Sequence, residues 1–505
     1  MSPEVVEATE KLLCSFASRV DALRRAGEDL SALEEPEVSG IAGTGMTAIF
    51  GHGVARHLAR RHPGQVSIDW DLYDQPERLA NVLPHLVPVL KDDTQVEAHV
   101  PFEEWTRASA GTEDLAWLVR HIEQMWPREQ EQADRYDALR LPVRWEFGDS
   151  PVTRTRTRLP AGLAFCHTEP LVRRSDVSLD EVFSAEPLPI RKLEKKEAEE
   201  LFLLVRSAMA ARYRELHGFT YPDAKHVYEL DPGRGVKLYF SGVPAEWRLP
   251  LRAYHGATMW KNGVQVGYFE GLSLFERMEA GFNLFYTFRE GETAWLYAQI
   301  LRACRQLYGV KCFVIDPYQI GHENEEAIES GAFWFYRKLG FRSVDPRLRE
   351  LTVREEERIR RTIGYRTGPP TLRKLAERHM IYGAPGADST AWEGFHVRSL
   401  GLATARAMAA HFGGDLIEMR GKTIRWASRI LEIPLSRWSE AERQALANWA
   451  PVLALIQDLD QWSVNEKNLL AGIIRAKAAT EETRYLRLMQ QHSRLRQACC
   501  EAASA

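Results

Sequence analysis

The chain has 505 residues, with 66 lysines and arginines against 70 aspartates and glutamates, for a formal net charge of −4. That length exceeds one ordinary core and implies roughly two to four domains, while the near balance of charge gives no general attraction to a polyanion. Hydrophobic residues at 45% and charged residues at 27% are globular usage, which excludes a disordered chain, and no apolar run is long enough to span a bilayer.

The opening stretch, MSPEVVEATEKLLCSF, is acidic and amphipathic and lacks the basic start and apolar centre of a signal peptide. Six cysteines, at 14, 166, 304, 312, 499 and 500, form no CxxC pair, which fits free thiols in a reducing cytoplasm. A cytoplasmic protein without membrane association is therefore expected. Periodicity predicts helix over residues 1–30. The segment 40–64, GIAGTGMTAIFGHGVARHLARRHPG, then gives a glycine-rich entry and a helix through Arg61, stopped by Pro63-Gly64. Gly40-x-x-Gly43-x-Gly45 follows no buried strand, so a nucleotide loop is not its expected role. His52, His57 and His62 recur every five residues, whereas two ligands on one helical face need spacings of three or four, so no metal site is expected. VSIDWDLY alternates as a short strand, with Asp69 and Asp71 on one face, either solvated or forming a paired acid site. Further helices are predicted around 80–90 and 112–138. The run TRTRTR, residues 153–158, reads as an exposed strand with three arginines on one face. With no basic excess and no interleaved aromatics, it reads as a solvated edge, and nucleic acid is not the expected partner.

The texture changes near Leu188. LPIRKL reads as a strand and residues 195–216 as an amphipathic helix, followed by the strand VKLYFSG. The run LRAYHGATMWKNGVQVGYFEGLSLF carries a hairpin, because Asn262-Gly263 supplies the positive φ angles of a tight turn. EAGFNLFYTF is a further strand, AWLYAQILRACRQLY a helix that Gly309 can cap, and KCFVIDPY a short buried strand. A helix carrying Phe333, Trp334, Phe335 and Tyr336 and a last strand end this part. Beyond Arg349 come the charged helix LTVREEERIRRTI, the linker GYRTGPP, and mostly helical sequence. There Ser439 and Glu442 form a capping box, and His492 falls on the rim of the last helix. The expected fold class is α/β (α+β): residues 1–185 as a mixed N-terminal region, 186–350 as a mixed sheet flanked by helices, and 351–505 as a helical domain.

Three stretches, NGVQVGYFE, GFNLFYTFREGETAWLYAQIL and AFWFYRKLGF, give residues 188–345 a resemblance to the GNAT superfamily of acyl-CoA-dependent transferases. The last looks like the family's closing signature, Ala-x-x-Φ-Tyr-x-x-x-Gly-Phe. The resemblance covers under a third of the chain. It implies acetyl-CoA or another acyl-CoA as co-substrate, an amine acceptor on a small molecule or protein, and direct attack on the thioester. REGETA stands where the family has Arg/Gln-x-x-Gly-x-Gly/Ala, with Arg289 and Ala294 in step and Gly291 one residue early. Phe285 and Thr287 precede that loop and Thr293 lies within it, and all three are implied as cofactor-binding with it. Tyr336 is implied as the acid that protonates the departing thiolate. From periodicity, Ile328, Ala332, Phe335 and Leu339 make one apolar stripe with Tyr336 beside it, so Phe335 is expected in the core and Tyr336 toward a cleft. Glu329 stands where the family often has Asn, and Asn324 with Ala327 resembles that pair displaced by five residues. Glu279 is expected to deprotonate the amine, with Glu270 on the preceding strand as the alternative. The displaced Gly291 and the Glu at 329 also fit a non-catalytic binding or scaffold module on the same fold.

Overall fold

A computed structural model describes residues 3–36, 38–87, 100–160 and 164–504. The architecture is α/β, with sheets flanked by helices. Helices Pro3–Cys14 and Phe16–Arg25 precede a small antiparallel sheet of β1 (Gly45–Ile49), β2 (Val66–Ile68) and β3 (Pro142–Glu146), in the order β1-β3-β2. Helices His52–Arg61, Asp114–Met125 and Glu129–Leu139 close over it, burying Leu58, Leu118, Ile122, Tyr136 and Trp145 in one core. The sequence pattern did not reveal β1, which follows directly on the glycines. Gly40 sits at φ +79°, and a Cβ there would lie 2.1 Å from the Ala211 carbonyl oxygen, so this glycine serves a close backbone contact. The helix predicted around 80–90 falls partly outside the described residues; 76–81 and 83–85 are 3-10 turns.

TRTRTR is a turn rather than a strand. Arg154 donates to the Pro36 carbonyl at 2.7 Å, Arg156 to Asp149 at 2.6 Å and Arg158 to Glu10 at 2.5 Å. These guanidiniums tie down neighbouring loops and the first helix, which removes the flat cationic face that alternation suggested.

The large sheet has nine strands. They are β4 (Ile190–Lys192), β5 (Val227–Gly233), β6 (Val236–Ser241), β7 (Ala253–Lys261), β8 (Val264–Leu274), β9 (Arg277–Leu284), β10 (Cys312–Ile315), β11 (Arg342–Ser343) and β12 (Met380–Gly383). Their order is β11-β12-β10-β9-β8-β7-β6-β5-β4, and only β9 and β10 run parallel. The β7–β8 turn places Asn262 at φ 50° and Gly263 at φ 78°, as the hairpin signal required. Helix Lys195–Ala210 covers one face through Phe202, Val205 and Met209 against Trp260, Tyr268 and Phe285. Helix Thr293–Tyr308 covers the other through Tyr297, Ile300 and Leu301 against Ala257, Met278 and Ala280.

The expected division at residue 350 runs through this sheet. Residues 380–383 pair with both β10 and β11, and one core extends from Leu179 through the sheet to Trp449, Tyr485 and Leu495. The C-terminal region is otherwise helical, with the Ser439–Glu442 capping box formed. His492 is buried rather than on a rim. It lies between helices Thr483–Met489 and Ser493–Ser504, where Nδ1 accepts from the Leu495 N–H at 3.1 Å and Nε2 meets the Glu466 carbonyl at 3.1 Å. All six cysteines are free. Among the described residues, no helix is long and apolar enough to cross a membrane, and no cluster of His, Cys, Asp and Glu is arranged to hold a metal ion.

Candidate active site

The parallel strands β9 and β10 share only three register pairs, residues 277–279 with 312–314. Beyond Glu279, β9 continues to Leu284 bonded to β8 alone. The cause is local. β10 runs into Asp316-Pro317, where proline has no N–H to continue a ladder and the Asp316 carboxylate caps the short helix Pro317–Ile320. The strands therefore part, and a cleft of about 460 Å³ fills the gap. Phe282, Asn283 and Leu284 of β9 form one wall, and Tyr318, Gln319, Asn324, Phe335 and Tyr336 contribute to the other.

Four of the sequence-derived residues meet here: Tyr336, Asn324, Arg289 and Thr293. Tyr336 is only 3% exposed and sits edge-on to Tyr297, Phe335 and Phe341, with ring centroids 5.6, 5.1 and 5.8 Å away. Burial pushes its phenol well above the ordinary value, so it keeps its proton throughout the neutral range. Phe335, expected in the core, lines the same cleft half-buried and stacks on Phe282. The stripe from Ile328 to Leu339 is not continuous, because Gly331 at φ 67° separates helix Glu325–Glu329 from helix Ala332–Arg337 and resets the phase. Asn324 caps the first of these, accepting from the Ala327 N–H at 3.2 Å and donating to the Tyr318 carbonyl at 3.0 Å. Its amide thus shapes the cleft wall.

Arg289 spans the mouth, paired with Glu326 at 2.5 Å and donating through Nε to the Leu284 carbonyl at 3.2 Å. The Thr293 hydroxyl donates to the Arg289 carbonyl at 2.9 Å and closes the loop. At the start of helix Thr293–Tyr308, Glu292 turns its carboxylate away from the helix to accept from the Val172 N–H, Arg234 and Lys261. Burial would raise its pKa, but those partners outweigh it and hold Glu292 at about 2. No side chain caps this helix, so its first-turn N–H groups stay available to an anion at the end where the dipole favours one.

The other expected cofactor contacts lie elsewhere. Phe285 is core, between the Arg212 guanidinium at 4.7 Å and the Tyr268 ring. Thr287 points to solvent in a 3-10 turn, Ala294 is buried beneath the helix start, and Gly291 is exposed in a turn whose N–H bonds the Phe288 carbonyl. Gly291 does not line the cleft.

Glu279 lies at the closed end of the strand pair, opposite Val314. Its carboxylate oxygens accept from the Arg252 guanidinium at 2.6 Å and the Arg277 guanidinium at 2.8 Å, and Glu279 does not line the cleft. Glu270 is placed differently. It pairs with Gly281 in the opened half of β9 and shares a strand face with the cleft residue Tyr268. Its carboxylate accepts from the Tyr254 hydroxyl at 2.6 Å, and that oxygen accepts from the Gly218 N–H at 3.1 Å. Gly281 presents no side chain there, and the Gln319 amide of the cleft lies 3.9 Å from where a Cβ would stand. Sequence reasoning missed Arg214, Tyr268, Tyr318 and Gln319. Only the Asp-Pro turn before Tyr318 and the alternation placing Tyr268 beside Glu270 could have signalled any of them. Compared with protein-family models, curated proteins and solved structures, the chain finds no match.

Proposed function

We propose that the chain is an acyl-CoA-dependent N-acyltransferase of the GNAT kind, acting in the cytoplasm on an amine. The pantetheine arm lies along the unpaired edge of β9 from Gly281 to Leu284, and the diphosphate meets the uncapped start of helix Thr293–Tyr308 beside Arg289. The amine attacks the thioester carbonyl, the C–S bond breaks, and Tyr336 gives its proton to the departing thiolate. Glu270 takes the proton that the amine nitrogen loses. One observation carries the reading: a parallel strand pair opens after three register pairs into a cleft bordered by a buried, protonated tyrosine.

Calorimetric titration with CoA and acetyl-CoA is the direct test. Saturable binding that Ala332→Trp abolishes, by filling the cleft, supports the proposal, and no heat at millimolar ligand overturns it. The Arg289–Glu326 pair and the displaced Gly291 favour a second reading, a binding module without turnover. Binding of acetyl-CoA with no CoA release against a panel of primary amines would select it.

A further inference from the structure

A larger cavity, of about 770 Å³, lies on the far side of helix Lys195–Ala210 and shares no lining residue with the cleft. Its walls come from three segments: His57 and His62 with Pro63, Val152 from the loop after β3, and Leu203 and Ser207 from the helix. These walls are mostly apolar. Arg61, Asp149 and Glu200 bring charge only at its exposed rim, with both signs represented.

The polar groups inside have a fixed logic. The Ser207 hydroxyl lies 3.2 Å from the Leu203 carbonyl, which can only accept, and a serine proton directed there leaves Oγ open as an acceptor. With the proton so placed, His57 Nε2, 2.7 Å from Ser207 Oγ, donates to it. In that tautomer the His57 Nδ1 lone pair is an acceptor. Burial lowers His57 to about 3 and lowers His62 as well, so both rings are uncharged at neutral pH. His62, buried, and Gln65, half-buried, lie together at the wall of this cavity, the Gln65 side chain acting as a hydrogen-bond partner of the ring.

We propose that this cavity is a second ligand site, taking an uncharged and largely apolar organic molecule that carries an N–H donor for His57 Nδ1. The imidazoles offer an ion no charge, Asp149 at the rim is already paired with Arg156, and the apolar walls bind the body of the ligand.

Indole is a suitable probe, with indene as its counterpart lacking the N–H, both followed by protein-observed NMR on the full chain. Indole is expected to bind saturably, about fivefold more tightly than indene, as one hydrogen bond of about 1 kcal/mol gives. Leu203→Trp should abolish that binding by filling the cavity, and Val152→Trp does the same from the opposite wall if the first variant does not fold. Tyr336→Phe should leave it unchanged. Absence of indole binding at millimolar concentration, equal affinity for indene, or binding that survives a folded cavity-filling variant would each overturn the proposal. None of these outcomes depends on whether the cleft binds CoA.

Discussion

Tyr336→Phe removes one oxygen from the deepest part of the cleft and little else. The ring is gripped by Tyr297, Phe335 and Phe341, and phenylalanine keeps all three contacts. Burial is the sole influence raising the phenol pKa, with no protein charge or hydrogen bond contributing, so the hydroxyl supplies the fold with little. Stability should therefore change by less than about 1 kcal/mol. Catalysis should respond differently. General-acid assistance is worth roughly 10²- to 10⁴-fold, and a thiolate of ordinary pKa about 8.5 needs less help than an alkoxide would. The lower figure follows, a loss of about a hundredfold in kcat, or ~2.7 kcal/mol of barrier. The assay is CoA release from acetyl-CoA with an accepted amine, read by a thiol reagent, alongside calorimetry for CoA affinity. Affinity should stay within about twofold, because the hydroxyl acts on a charge that exists only as the thiolate departs. Unchanged turnover in a folded Tyr336→Phe protein would refute the reasoning, and so would a loss confined to CoA affinity.

Glu270→Gln keeps an acceptor for the Tyr254 hydroxyl, so the fold should hold while turnover falls roughly a hundredfold and the acid limb of the pH–rate profile disappears; a retained limb would exclude Glu270 as the base. Arg289→Ala should weaken CoA binding by roughly five- to tenfold, less at high salt, whereas Glu326→Gln frees the guanidinium and should tighten it; calorimetry at two salt concentrations reads both. Burial lowers His52 to about 4 and His57, His255 and His379 to about 3, against an ordinary 6.5. The unfolded chain then binds protons that the fold refuses, so stability is complete above about pH 6.5. It falls on acidification toward those lower values, by up to ~1.4 kcal/mol per pH unit for each ring, and a urea midpoint that stays flat between pH 7.5 and 5 would contradict this.

What could be read from the sequence was local. Asn262-Gly263, the left-handed Gly309 and the Ser439–Glu442 box each state their geometry within a few residues, and each formed as expected. What could not be read was set by pairing at a distance. MIYG resembles any short apolar run inside helical sequence, and only its registers with Cys312–Ile315 and Arg342–Ser343 make it the strand that separates them. β5 is rich in polar residues and lies between an edge strand and β6, so its pattern gave no sign of a strand. The choice between Glu270 and Glu279 has the same origin. Both alternate correctly along their strands, and only the point where β9 leaves β10 shows that one pairs into the opened half of β9 while the other is clamped by Arg252 and Arg277. Tyr336 and Phe335 exchanged depth because a single αL glycine broke a helix that periodicity had drawn as continuous.

Helix Lys195–Ala210 gives the N-terminal region a part in the chemistry proposed for the cleft. One side of it presses Phe202, Val205 and Met209 onto the sheet near Tyr268 and Phe285, while Leu203 and Ser207 line the second cavity. Its end is fixed by the N-terminal core, where Ala210 and Ala211 pack with Trp145 and Phe147 and the Ala211 carbonyl abuts Gly40. The chain then runs directly into Arg214, at the cleft, and Gly218, whose N–H holds the Tyr254 hydroxyl against Glu270. The position of the proposed base is thus set by a segment anchored in the first sheet as much as by its own strand. This explains why residues far from the cleft in sequence belong to the same working unit: the Gly40–Ala211 contact, the Gly51 N–H on the Glu215 carboxylate and the Tyr213 hydroxyl on the Glu34 carbonyl tie the turn carrying Arg214 and Gly218 to the N-terminal region.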